Sequence, residues 1–152
     1  MYGVVQVRSG IDMSAEVRDT LEMLNLGSPN RFTLVPETES YEGMILKVND
    51  CVAYGNPDAD TVEKLLRNRA TTHEGDDLTQ EYVEENTQYG SVGELAEAIV
   101  ENDLRPKEVG IEPSMNLHPP RKGHSGIKQS YKQGGALGNH GDEIDDLLRR
   151  MR

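Results

Sequence analysis

Four basic side chains and three histidines occur together in residues 113–141, a stretch that contains no Asp and no Glu. The basic residues are Arg121, Lys122, Lys128 and Lys132, and the histidines are His118, His124 and His140. The rest of the chain carries 12 basic and 27 acidic residues. Lys and Arg neutralise phosphate charge, and a glycine-rich segment with few large apolar residues builds no core of its own. We therefore predict a flexible basic tail that binds a polyanion; the alternative is a disordered linker without acids.

Within this segment, Arg121 and Lys122 follow closely after His118 and form the best candidate for a phosphate-binding cluster. Neighbouring glycines allow an RNA backbone to approach closely. Tyr131 lies between Lys128 and Lys132, where its ring could stack on an unpaired base or ribose. The alternative for Tyr131 is packing on the protein body, and the sequence does not decide between the two.

Catalytic and metal-binding interpretations have less support. The three histidines of the segment are separated by six and sixteen residues, without a carboxylate or Cys between them, which matches no compact metal-ligand pattern. The glycines do not form the Gly-x-x-x-x-Gly-Lys-[Ser/Thr] phosphate loop. Cys51 lies in an apolar stretch with no His nearby in sequence, and we expect it to be a buried structural residue. No catalytic residue, metal or cofactor is predicted.

The elements that must position these residues are short and alternate along the first 55 residues. β-branched runs predict strands, and apolar residues at helical spacing predict helices capped by Ser14 and Ser40. The predicted strands are 2–8, 31–35 and 51–54. Because each helix has one apolar stripe, we expect both on one face of a small three-stranded sheet in the order β-α-β-α-β. Arg8 and Arg31 stand at strand ends and are weaker candidates for RNA contacts.

The remainder of the chain predicts an extension to this α/β (α+β) core. Residues 56–112 contain helical patterns beginning near Pro57, Thr79 and Ser91, and the last helix spans 142–151 with Ile144, Leu147, Leu148 and Met151 on one stripe. We therefore divide the chain into a core (1–55), a helical extension (56–112) and an extended basic C-terminal tail ending in a short helix (113–152).

Composition limits the function classes further. The chain has 152 residues, one Cys and a formal net charge of −11. One Cys excludes an internal disulfide, and no apolar run is long enough to span a membrane, so we expect a cytoplasmic protein. The acidic charge has two interpretations: the protein avoids polyanions, or it works in molar salt, where charges are screened beyond about 3 Å. Ten Arg against six Lys agree with a halophilic protein.

The sequence also resembles the large-subunit ribosomal protein L-thirty (uL-thirty) family, in its archaeal and specifically haloarchaeal form. The first 55 residues match that family's small α/β fold, and the later helices and basic segment are similar to the extension of archaeal members. The residues that carry the resemblance are Gly43-Met44-Ile45, Lys47-Val48, Val52, the stretch 33–38, the stretch 117–121, Gly134-Gly135 and the helix containing 145–148.

The resemblance implies a non-catalytic structural component of the large ribosomal subunit. It implies binding to large-subunit (23S) rRNA, with 5S rRNA and neighbouring ribosomal proteins as further partners, and neither a membrane nor a small-molecule substrate. Lys47 matches the family motif and is a candidate RNA contact, whereas Glu42 stands where the family often carries Arg and is not assigned to RNA. Two alternatives remain open: a small halophilic ligand-binding regulatory domain without ribosomal association, and a metal-dependent enzyme that uses the histidines.

Overall fold

The computed structural model describes residues 1–11, 13–102, 104–124 and 126–152. Within these residues the strands are β1 (Tyr2–Gln6), β2 (Arg31–Val35), β3 (Val52–Gly55), β4 (Ser114–Asn116) and β5 (Gly138–Gly141). The helices are α1 (Ala15–Met23), α2 (Glu39–Lys47), α3 (Ala59–Arg69), α4 (Gln80–Asn86), α5 (Val92–Asn102) and α6 (Ile144–Met151). Among the helices described, none is both long enough and apolar enough to cross a bilayer.

The five strands form one mixed sheet in the order β4-β2-β1-β3-β5. The strand β1 lies at its centre and pairs antiparallel with β2 and β3, so that Val4 is opposite Thr33 on one side and Tyr54 on the other. At the edges, β4 pairs antiparallel with β2, and β5 pairs parallel with β3. The predicted β-α-β-α-β core is therefore confirmed as the inner part of a larger sheet.

Helices cover both faces of the sheet. Because successive side chains of a strand point to opposite faces, Val4 joins a core with α1 and α2, while its neighbour Val5 joins a second core with α3, α5 and α6. The prediction that α1 and α2 lie on one face of the sheet is confirmed, because both contribute to the core that contains Val4. The core that contains Val5 is the larger of the two, and it includes the fully buried Phe32 of β2.

Side-chain caps fix where several helices begin. Ser14 caps α1 by accepting a hydrogen bond from the Val17 N–H at 3.3 Å, as its position in the sequence predicts. Thr79 caps α4 in the same way. The prediction of Ser40 as the cap of α2 is wrong, because Thr38 accepts the Tyr41 N–H and α2 therefore begins before Ser40.

The predicted three-stranded sheet is incomplete, and the extended C-terminal tail is wrong. Both ends of the basic segment join the sheet: β4 pairs Asn116 with Arg31, and β5 pairs Asn139 with Tyr54. These edge strands lack β-branched residues, and their pairing depends on partners about 85 residues away, so local propensity gives no indication of them. The helix α6 then packs into the larger core through Ile144, Leu147, Leu148 and Met151, as its apolar stripe predicts.

Candidate nucleic-acid interface

The basic segment forms a surface loop that leaves the sheet at β4 and returns to it at β5. We call this loop, described at residues 117–124 and 126–137, the basic loop. Two apolar anchors fix its ends, since Leu117 and Leu137 are both buried. Between them the loop exposes all four predicted cationic side chains and one predicted histidine: Arg121, Lys122, Lys128, Lys132 and His118. The predicted phosphate-binding cations are thus exposed on one acid-free loop that runs from one edge of the sheet to the other.

The first half of the basic loop is hydrogen-bonded to the C-terminal end of α6. The N–H of His118 donates to the Met151 carbonyl at 2.9 Å, and the N–H of Arg121 donates to the Arg150 carbonyl at 3.0 Å. In the opposite direction, the Arg150 guanidinium donates to the carbonyls of Arg121 and Gly123 at 3.2 and 3.0 Å. Sequence reasoning missed Arg150, because it lies outside the acid-free segment and only the packing of α6 brings it to the loop.

A tight turn presents Arg121 and Lys122 at the surface. The N–H of Gly123 donates to the Pro120 carbonyl at 3.0 Å, which closes the turn around the two cations. Lys122 has φ +68°, a left-handed conformation that is uncommon for a residue with a Cβ. Because buried Pro120 fixes one end and the two Arg150 hydrogen bonds hold the other, both cationic side chains are directed away from the protein.

The second half of the basic loop folds back on itself and carries Lys128 and Lys132. Its backbone is closed by hydrogen bonds from Tyr131 N to Leu137 O at 2.7 Å and from Leu137 N to Gln129 O at 3.1 Å. Gly135 makes this possible, since a Cβ at that position would overlap the Gln129 carbonyl oxygen. The second pair of cations therefore also stands on an internally hydrogen-bonded scaffold.

Tyr131 and His140 connect the loop to β5. Their rings stack with centroids 4.1 Å apart, and the His140 Nε2–H donates to the Ala136 carbonyl at 2.7 Å. His140 is 9% exposed, whereas Tyr131 remains 36% exposed. One side of the Tyr131 ring is thus packed on the protein, as one of the two alternatives for this residue predicts, while part of the ring is still accessible.

His124 and His140 lie beside a positive charge within the protein. Burial lowers the pKa of His140, the hydrogen bond to Ala136 opposes this, and the Arg150 charge lowers the pKa further. Burial also lowers the pKa of His124, as do the charges of Arg150 and His140. Protonation of both imidazoles is therefore disfavoured in the free chain. Both rings line a cleft of about 170 Å³ together with Tyr131 and Arg150.

The remaining predicted contacts do not converge on the basic loop. Lys47 lies on α2, on the other face of the sheet, and forms an ion pair with Glu16 at 3.1 Å. Arg31 donates from Nε to Asn116 Oδ1 at 3.3 Å, beside the start of the loop. Arg8 is half-buried just beyond β1. Their role in RNA binding stays a prediction.

The structure places Cys51 in the core, fully buried, where burial raises the pKa of its thiol. A buried thiol of raised pKa is a poor nucleophile. Among the residues that the structure describes, no group of three or more His, Cys, Asp or Glu side chains is arranged to hold a metal ion.

Comparisons with known proteins give a family match to the first third of the chain and curated relatives that align with all of it. The family described as "Ribosomal protein L30p/L7e" matches residues 2–52, which span β1 to the start of β3. The curated protein "Large ribosomal subunit protein uL30" of Natronomonas pharaonis is 51% identical, and that of Haloarcula marismortui is 47% identical. The protein of the same name from Methanocella arvoryzae is 42% identical. Each of these alignments covers 100% of both chains.

Proposed function

The chain belongs to the ribosomal protein L30p/L7e (uL30) family, a non-enzymatic family of the large ribosomal subunit, and we propose that it binds folded large-subunit (23S) rRNA through the basic loop. The observation that carries the proposal is the exposure of Arg121, Lys122, Lys128 and Lys132 on a loop without a single acid, in a chain of net charge −11. The full-length similarity to ribosomal proteins overturns the alternative of a regulatory domain without ribosomal association.

In this mechanism, the protein body holds the loop in shape before RNA arrives. The hydrogen bonds from Arg150 and the stack of Tyr131 on His140 fix both halves of the loop. A preorganised loop loses less conformational entropy on binding than a flexible tail, so more of the phosphate-contact energy appears as affinity. The shape of the loop selects folded RNA, and its cations supply sequence-independent attraction.

Individual side chains have distinct roles in the proposal. Arg121 and Lys122 contact phosphates from the turn, and Lys128 and Lys132 do so from the second half of the loop. The accessible part of the Tyr131 ring stacks on an unpaired base or ribose. The exposed His118 donates a hydrogen bond to the RNA, whereas His124 and His140 act in their neutral forms, because their pKa values are lowered. Lys47, Arg31 and Arg8 are secondary contacts.

The acidic surface is compatible with RNA binding in concentrated salt. At about 1 M salt the Debye length is about 3 Å, so carboxylates elsewhere on the surface no longer repel phosphate at a distance, while direct cation contacts persist. The other proposed partners are 5S rRNA and neighbouring proteins of the large subunit.

Deletion of residues 113–141 is an unsuitable test, because it removes β4 and β5 and the buried Met115 and Leu137. The better variant changes Arg121, Lys122, Lys128 and Lys132 to Gln. We expect this variant to remain folded by circular dichroism in high KCl, and to compete poorly with the wild-type chain for incorporation into large subunits, measured by co-sedimentation.

A control variant carries the same number of Gln substitutions away from the loop, at Arg18, Lys64, Arg67 and Lys107. It changes the net charge equally and should be incorporated like the wild-type chain. Equal incorporation of the loop variant and the wild-type chain would show that the basic loop does not anchor the protein.

A further inference from the structure

A cleft of about 150 Å³ opens between the sheet and α2, on the face opposite α6. Two tyrosines, one carboxylate and two aliphatic side chains line it: Tyr2, Tyr54, Glu42, Ile45 and Leu46. The two tyrosine rings meet edge to face, with centroids 6.0 Å apart and an interplanar angle of 89°. Leu46, a large apolar side chain that lines the cleft, is 65% exposed.

The carboxylate of Glu42 is oriented by the sheet. Its Oε1 accepts a hydrogen bond from the Tyr2 hydroxyl at 3.0 Å. Burial, the hydrogen bond to Glu42 and the negative charge of that residue raise the pKa of Tyr2 to about 12, so the phenol stays a neutral donor at any physiological pH. The second carboxylate oxygen of Glu42 can accept further hydrogen bonds.

The electrostatic environment of the cleft is negative. Glu39 lies in the first turn of α2 with Glu42, and Glu37 precedes the helix. Glu37 is itself in an ion pair with the amino group of Met1 at 3.0 Å. In the described part of the chain, no Lys or Arg lines the cleft. Phosphate is therefore disfavoured here, and a cation is favoured.

A separate contact on α2 pairs a tyrosine with a cation of the same chain. The guanidinium of Arg105 lies 5.7 Å from the centroid of the Tyr41 ring and donates from Nη2 to the Tyr41 hydroxyl at 2.8 Å. An arginine from a distant part of the chain thus docks on a tyrosine of α2 by combining a cation–π contact with a hydrogen bond.

We propose that the cleft lined by Tyr2, Tyr54 and Glu42 binds an arginine side chain from a basic segment of a neighbouring protein. The planar guanidinium matches the carboxylate of Glu42 with two parallel N–H donors and lies against a tyrosine ring. The aliphatic stem of the arginine covers Leu46, which accounts for an exposed leucine at this position. The inference deepens the proposed function by assigning a protein-binding face, but it does not depend on the basic loop.

The isolated full-length chain tests this directly with two short peptides, acetyl-Gly-Arg-Gly-amide and its citrulline analogue. We expect the arginine peptide to shift the NMR signals of Tyr2, Tyr54 and Leu46, and the uncharged citrulline peptide to bind at least about tenfold more weakly, because it lacks the charge-assisted hydrogen bonds. The Glu42→Gln substitution should lower the affinity for the arginine peptide by about the same factor. The matched control is Glu81→Gln on α4, which should leave binding unchanged.

Equal binding of the two peptides, absence of binding, or an unaltered affinity in the Glu42→Gln variant would overturn the inference. A second measurement uses the assembled particle. A Leu46→p-benzoylphenylalanine chain, incorporated into large subunits and irradiated, should cross-link to a protein at an arginine-containing segment. Cross-linking to rRNA alone, or to nothing, would also overturn it. Because Leu46 is remote from the basic loop, these outcomes leave the incorporation test of the proposed function unaffected.

Discussion

His140 stacks on Tyr131 with ring centroids 4.1 Å apart and an angle of 25° between the ring planes. This contact joins strand β5 to the basic loop, so the accessible part of the Tyr131 ring is held by a residue that is itself almost completely buried. Burial and the nearby Arg150 charge favour the neutral imidazole, and the hydrogen bond from Nε2–H to the Ala136 carbonyl holds the ring in place but opposes this lowering of the pKa.

The first prediction concerns pH. Burial lowers the pKa of His140 below its ordinary value of 6.5, and the pKa of His124 is lowered for the same principal reason. The unfolded chain therefore takes up protons at a higher pH than the folded chain. The stabilisation from the neutral imidazoles is complete above pH 6.5 and is lost as the pH falls through the folded-state values. We expect the free energy of unfolding by urea, measured in constant high KCl, to decrease below pH 6.5.

A His124→Gln/His140→Gln variant should lose most of this decrease, although its stability at pH 7.5 will be lower. The control is His73→Gln, since His73 is exposed on a polar loop and its replacement should preserve the pH dependence. If the double variant keeps the wild-type profile, other groups cause the loss of stability in acid.

The second prediction concerns Arg150, which holds the turn that carries Arg121 and Lys122. Gln at this position cannot donate to both the Arg121 and Gly123 carbonyls, and the net loss of an exposed pair of hydrogen bonds is about 1 kcal/mol. We expect amide hydrogen exchange at Arg121 and Gly123 to become about fivefold faster. Arg149→Gln on the same helix is the control, because Arg149 bonds to α3 and its N-cap instead. Equal acceleration in both variants would indicate general loosening of α6.

The third prediction concerns the salt dependence of RNA binding. If the four loop cations each neutralise one phosphate of non-duplex RNA, together they contribute about −3 to the slope of log K against log salt. The variant with Gln at Arg121, Lys122, Lys128 and Lys132 should lose this contribution, and each single substitution should reduce the slope by about 0.7. The measurement is a binding titration with large-subunit rRNA fragments at several KCl concentrations. A slope unchanged by all four substitutions would exclude phosphate contacts by these residues.

Sequence reasoning succeeded where local signals determine the structure. Ser14 caps its helix because a hydroxyl reaches an unpaired N–H within one turn, and the stripe from Ile144 to Met151 is buried because its period matches a helix. The same local reasoning predicted Ser40 as the cap of α2, whereas Thr38, two residues earlier and equally able to cap, accepts the Tyr41 N–H.

Sequence reasoning failed where contacts between distant parts of the chain determine the structure. The sequences of β4 and β5, Ser-Met-Asn and Gly-Asn-His-Gly, have little strand propensity, and they are strands because β2 and β3 offer unpaired edges. The charge pattern located the exposed cations of the basic loop, because charge is visible in sequence. Arg150 and the Tyr131–His140 stack were not predictable, because they depend on how α6 and β5 pack against that loop.

The fourth prediction tests the junction between β3 and β5, on which the position of the basic loop depends. Gly55 lies where β3 meets the end of β5; a Cβ there would overlap the Gly141 carbonyl oxygen and stand 2.8 Å from Ile144 Cβ. Neither neighbour is a flexible side-chain end, so Gly55→Ala must displace β5 or α6. Overpacking of this kind costs about 1–3 kcal/mol, and we expect at least 2 kcal/mol here, measured by urea unfolding in high KCl.

Gly43→Ala is the matched control, with the opposite expected sign. Gly43 is exposed in the middle of α2, and a Cβ there meets no atom within 4 Å. Replacing a helical Gly by Ala stabilises a protein by about 0.5–1 kcal/mol, because the unfolded chain loses conformational freedom and the helix gains propensity. If both substitutions stabilise the chain, β5 does not approach Gly55 as closely as the structure shows, and the basic loop is not anchored by parallel pairing to β3.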